Sequence, residues 1–172
     1  MIENPPLILT ALVDPRDLQP FDDLRKRHFP LERNYLRAHI TLFHKLPGEE
    51  RRAIGTALGR MAGEIAAFSA MVDGLRHLGA GVCYTIDSAD LRTLRAGLAK
   101  RFEPWLGPQD KQGWRPHITV QNKVAKSQAD ALLAELQAGF QPTRITITGL
   151  ELWAYKGGPW EHVSTYPFTA TA

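Results

Sequence analysis

Cysteine is nearly absent: Cys83 is the only one among 172 residues. That excludes an internal disulfide and a cysteine-rich zinc site. No apolar run approaches the roughly 20 residues that a membrane-spanning helix needs. The opening Met1-Ile2-Glu3-Asn4-Pro5-Pro6 lacks the basic stretch and long apolar core of a secretory signal. Low-complexity segments are missing, and no Pro/Gly/Ser linker divides the chain. From these absences we expect a soluble, cytoplasmic protein without a membrane partner. A strong charge of either sign is also lacking: the net charge is +3, with a pI near 9.2. A phosphate-bearing ligand is compatible with that balance, but a nucleic-acid signature it is not. The charged share of 23% and hydrophobic share of 44% are ordinary for a globular chain, and 172 residues bury the core of about one domain.

What is present is a repeat. Arg37-Ala38-His39-Ile40-Thr41-Leu42-Phe43-His44-Lys45-Leu46 is matched by Arg115-Pro116-His117-Ile118-Thr119-Val120-Gln121-Asn122-Lys123-Val124. Arg, His, Ile, Thr and Lys recur at identical offsets, and aliphatic residues follow both Thr and Lys. A repeat kept only for packing would preserve its apolar positions and let the polar ones drift. Here the polar ones are kept, which points to two symmetric half-sites.

Both stretches are short and rich in β-branched and aliphatic residues, so both read as strands. On a strand, residues two apart share a face, spaced about 6–7 Å. Arg, His and Thr then line one side of each strand. Ile40, Leu42, Ile118 and Val120 take the other and pack under helices. Two imidazoles and two hydroxyls converging from such strands frame a phosphate-sized site.

The elements expected around the motifs repeat in order. Leu7–Val13 reads as a buried strand and Asp17 to His28 as a helix stopped by Pro30. A helix from Glu49 to about Ala67 follows the first motif. Phe68–Leu78 and Gly81–Asp87 read as strands joined at Gly79-Ala80-Gly81. Ser88 is a plausible N-cap for a helix to about Phe102, broken by Pro104 and Gly107-Pro108. After the second motif, Ser127 is a candidate cap for a helix to about Ala138. Arg144–Tyr155 and Glu161–Phe168 form a hairpin around Gly157-Gly158. With His39 and His117 78 residues apart, the chain reads as one bilobal domain over 1–172, with approximate half-repeats 1–87 and 81–172.

The paired His39-Ile40-Thr41-Leu42 and His117-Ile118-Thr119-Val120, at this spacing on predicted strands, resemble the two-histidine phosphoesterase superfamily, and within it the bacterial 2′-5′ RNA ligase-like branch. The element order extends the resemblance over nearly the whole chain. It implies an internally duplicated α+β fold, mainly antiparallel, with outer helices and a central cleft. It also implies metal-free chemistry on 2′,3′-cyclic phosphates or 2′,5′-phosphodiesters of RNA or nucleotides. Where better-known ligase-like members commonly carry an Ala-Arg pair after the second motif, this chain has Gln121-Asn122-Lys123. That departure touches the substrate, not the histidine chemistry.

Hydrolysing a cyclic phosphodiester needs a base to activate water and an acid to protonate the departing sugar oxygen. Histidine, with an unperturbed pKa of about 6.5, serves as either near neutral pH. We therefore expect His39 and His117 as the acid/base pair, and Thr41 and Thr119 as donors to the non-bridging oxygens. Arg37, Arg115, Lys45 and Lys123 are candidates for substrate binding; the arginines could equally pair with nearby carboxylates, and the lysines could be solvated strand ends. Ligation would use the same residues with a 5′-hydroxyl in place of water. His44 lies on the opposite strand parity and is expected at the surface or just behind the site; His28 and His162 have no companion pattern and His77 is near a strand end, so structural roles are expected for these three. No residue spacing suggests a zinc or magnesium site, and no cofactor is expected. A monomer acting on an RNA or nucleotide substrate is the favoured reading. The rival is a non-catalytic nucleotide- or RNA-end-binding module on the same fold.

Overall fold

A computed structural model describes residues 3–172. Strand β1 (Leu7–Val13) is an apolar run buried along almost its whole length. Asp14 stops it and caps α1 (Pro15–His28): its carboxylate accepts the Arg16 N–H at 2.9 Å, and Pro15 occupies the first helical position. The helix thus starts ahead of the expected Asp17, because the Asp-Pro pair is its start signal and not merely a turn. Then come β2 (Ile40–Leu46), α2 (Arg51–Gly63), β3 (Phe68–His77), β4 (Val82–Asp87), α3 (Ala89–Arg101), α4 (Pro108–Lys111), β5 (His117–Gln121), α5 (Lys126–Ala138), β6 (Thr143–Tyr155) and β7 (Trp160–Pro167).

Ser88 caps α3 as expected, its hydroxyl accepting the Leu91 N–H at 3.1 Å. Ser127 does not cap α5. The helix begins one residue earlier, and the Gln128 side chain reaches back to accept the Ala125 N–H at 3.3 Å. Helix α2 ends at Gly63, short of Ala67, because the chain must extend before entering β3. The Gly107-Pro108 break itself opens the short α4, whose Asp110 is buried.

All strand pairs are antiparallel, and the order β2-β1-β6-β3-β4-β5 runs as a palindrome about the central β6/β3 pair, with β7 added to the far half of β6. β2 and β5, the two motif strands, therefore occupy corresponding ends of the sheet. The sheet curls until these ends touch. Ile40, Leu42, Ile118 and Val120 are fully buried, whereas Thr41, His117 and Thr119 remain half-exposed on the other parity. A Cβ on Gly81 would collide with the Gln121 carbonyl, so only glycine lets the start of β4 pass the end of β5.

Candidate active site

Each motif histidine is oriented by its own backbone. His39 Nδ1 lies 2.7 Å from the Arg37 carbonyl, and His117 Nδ1 lies 2.8 Å from that of Arg115. A carbonyl only accepts, so Nδ1 carries the proton in both neutral rings and Nε2 is left as the acceptor. The position two residues before each histidine thus serves through its carbonyl, whatever its side chain does. Arg37 and His39 precede β2 rather than belonging to it, and Arg115 precedes β5. These irregular segments allow the carbonyl to fold back onto the ring, a contact that a regular strand would forbid.

The motifs are cross-paired. His39 and Thr119 line one cavity of about 640 Å³ together with Arg25, Asn122 and Lys123. Thr41 and His117 line another of about 230 Å³ with His44, Arg76, Arg95 and Arg115. Trp114 ties the strands across the gap, its indole N–H donating to the Thr41 carbonyl at 3.0 Å.

Two buried arginines brace this junction, each from the opposite half. Arg25 of α1 donates to the Thr119 carbonyl at 3.1 Å and to Asn34 Oδ1 at 2.8 Å, with its guanidinium 4.1 Å above the Phe29 ring. Arg95 of α3 donates to the Leu42 carbonyl at 3.0 Å and to the Asp110 carbonyl at 2.7 Å, lying 4.2 Å over Phe43. Burial lowers Arg25 to about 10, with Asp22 opposing, so it stays cationic at neutral pH. Burial lowers Arg95 too, against Asp110.

The same surroundings depress both imidazoles. His39 is pushed down to about 4, by burial first and then by the charges of Arg25, His117 and His44, against the pull of the Arg37 carbonyl. His117 is lowered by burial, with Arg76, His44 and Arg115 adding and the Arg115 carbonyl opposing. Burial alone would raise Asp110, but bonds from the His44 ring and from the His44 and Lys45 backbone outweigh it and hold the carboxyl below its usual range.

Of the basic candidates, Arg115 and Lys123 reach the cleft. Arg37 lies 3.6 Å from buried Asp22 and lines a separate cavity beside His39. Lys45 is exposed, contributes its backbone N–H to Asp110 and lines none of the three cavities. Lys123 adopts φ 62°, the left-handed region, just after the end of β5. Arg25, Arg76, Arg95, Asp22 and Asp110 escaped the motif comparison. A signal existed for two: Arg25 follows Phe21 by four residues and Arg95 follows Leu91 by four, so both sit on the apolar stripes of their helices. Among the described residues, no three His, Cys, Asp or Glu side chains gather as a metal-ligand set.

Residues 13–159 match the family described as the 2′-5′ RNA ligase superfamily. The chain belongs to this superfamily. Solved structures agree on the fold. TT0787 of Thermus thermophilus superposes with a TM-score of 0.66 at 18% identity, over 95% of this chain and 97% of that one. E. coli LigT complexed with 3′-AMP gives 0.65 at 17%, over 98% and 100%. LigT complexed with phosphate gives 0.63 at 17%, over 98% and 99%. No curated protein sequence matches the chain. The superfamily's α+β architecture, with an antiparallel sheet and five α-helices among the described residues, is the one present here. No helix among them is long and apolar enough to cross a membrane.

Proposed function

We propose that this superfamily member is a metal-independent phosphodiesterase that cleaves 2′,3′-cyclic phosphates or 2′,5′-linked nucleotides and RNA with His39 and His117 as its acid/base pair. The observation that carries the reading is the matched tautomer: each ring is pinned at Nδ1 by the carbonyl two residues before it, and the two imidazoles lie near enough for the charge of His117 to lower His39. The neutral imidazole takes a proton from water, whose oxygen bonds to phosphorus. The protonated imidazole gives its proton to the sugar oxygen as the P–O bond breaks. Thr41 and Thr119 donate to the non-bridging oxygens, where negative charge gathers. Arg25, Arg76, Arg115 and Lys123 supply a cationic field for the phosphate. With a 5′-hydroxyl in place of water, the neutral imidazole takes the hydroxyl proton, the 5′-oxygen bonds to the phosphorus of the cyclic phosphate, and the protonated imidazole protonates the departing 3′-oxygen, which leaves a 2′,5′ bond. Nucleotides suit the fold: E. coli LigT is described in complex with 3′-AMP, NADP+ and ATP.

Turnover of a 2′,3′-cyclic nucleotide in the presence of EDTA tests the reading. Release of a nucleoside monophosphate at an unchanged rate supports it. Loss of activity on chelation, restored by zinc or magnesium, overturns it.

A further inference from the structure

A third cavity, of about 310 Å³, adjoins the one that Arg25 and Lys123 line and shares Tyr35, Leu36 and His39 with it. Its lining is mainly apolar, with aliphatic side chains such as Val13, Leu18 and Leu36 beside the rings of Tyr35, Trp153 and Trp160. The Trp160 ring lies 4.8 Å from the His39 ring and 6.1 Å from that of Trp153, centroid to centroid. The Trp153 indole N–H is spent on Thr10 Oγ1 at 2.9 Å, which leaves its ring as a flat apolar surface. One carboxylate stands among these rings. Glu151 keeps 22% of its side chain exposed, and its Oε2 lies 3.3 Å from His162 Nε2 on the neighbouring strand β7, an atom that also meets Thr165 Oγ1 at 2.9 Å.

We propose that this cavity holds the base of the nucleotide whose phosphate is attacked, and that Glu151 selects guanine. The assignment rests on the phosphodiesterase reading, which puts the phosphate at His39 and hence the base about one ribose away. The flat aromatic rings accept any base by stacking. The carboxylate is an acceptor and discriminates by edge. Guanine carries N1–H and its exocyclic amino group side by side, two donors for one carboxylate. Uracil flanks its single N–H with two carbonyl oxygens that a carboxylate repels. Adenine and cytosine each offer one amino group beside a bare ring nitrogen, an arrangement that satisfies one oxygen and repels the other.

The test compares kcat/KM on the 2′,3′-cyclic phosphates of guanosine, adenosine, cytidine and uridine, alongside binding of guanosine and uridine 3′-monophosphates followed by tryptophan fluorescence. Hydrogen bonds to a charged group predict about 10- to 100-fold preference for guanosine over uridine. Glu151→Gln should remove most of that preference, lowering guanosine turnover and, because an amide no longer repels uracil's carbonyl oxygens, raising that of uridine, and Glu151→Asp should keep part of it. Equal kcat/KM on all four bases, a preference for another base, or a preference indifferent to E151Q overturns the subsite and leaves the phosphodiesterase reading standing. Guanosine monophosphate binding that E151Q weakens, in a protein that turns over no cyclic nucleotide, supports the subsite and overturns only the phosphodiesterase reading.

Discussion

Arg25 of α1 and Thr119 of β5 are 94 positions apart, yet a guanidinium N–H of the first holds the carbonyl of the second at 3.1 Å. Arg95 and Leu42 repeat the relationship from the other half at 3.0 Å. Each motif strand is therefore fixed by a helix of the opposite half, and the two halves cannot drift apart without stranding a buried cation and a carbonyl. These crossed bonds add to the central β6/β3 pair in holding the motif strands together.

Arg95→Met should lower stability by about 2–5 kcal/mol, since it leaves the Leu42 and Asp110 carbonyls without their donor. It should also cut activity, although Arg95 transfers no proton. Denaturant unfolding combined with kinetics checks this. Full activity with unchanged stability would mean that the crossed bonds do not hold the site.

His39→Ala and His117→Ala should each lower kcat by about 100- to 10,000-fold while the protein remains folded. Circular dichroism and single-turnover rates on a cyclic nucleotide give the two readings. A single variant working at nearly the native rate removes that histidine from the mechanism.

Thr41→Val and Thr119→Val should reduce kcat more than they raise KM, because their hydrogen bonds strengthen as charge develops on the phosphate oxygens. An effect confined to KM would make the hydroxyls binding groups only.

Both motif imidazoles sit below the ordinary histidine value in the free protein, His39 at about 4. The protonated acid is therefore scarce before substrate binds, and the alkaline limb of kcat/KM should fall below about pH 6.5, the ordinary histidine value. A bound phosphate favours the imidazolium, so kcat should peak at higher pH than kcat/KM. The limbs belong to the coupled pair and are measured as such. A rate that climbs steadily to about pH 10, with chemistry limiting, would exclude a histidine general acid.

The same depression bears on stability. The unfolded chain binds the His39 proton near pH 6.5, whereas the folded chain binds it at about 4. Folding is thus favoured in full above about pH 6.5, and stability is lost as pH falls from there toward about 4. Thermal melts across that window should show His39→Ala with a shallower decline than the native protein. Parallel curves would show that His39 is not depressed.

The elements were legible because local patterns were consistent. Alternating Ile, Thr and aliphatic residues made strands of both motifs, and Ser88 announced α3. The differences lie at helix ends, where one local signal outweighed another or the next strand set the limit: Ser127 yielded to its neighbour Gln128, whose side chain reaches back to Ala125, and α2 stopped at Gly63. The resemblance to a two-histidine family was carried by the two His-x-Thr tetrapeptides, and the family match over 13–159 agrees with it.

Sequence alone established the tandem His-x-Thr, the alternation that buries Ile40, Leu42, Ile118 and Val120, and the order of strands and helices, because all of these depend on neighbours along the chain. It could not place Arg25 against Thr119 or Arg95 against Leu42, nor show that Arg37 acts toward His39 through its carbonyl while its side chain faces Asp22. It could not gather Trp153, Trp160 and Glu151 beside His39. Those contacts arise from the curl of one sheet, which brings its terminal strands together, and curvature is a property of the packed whole that no local stretch encodes.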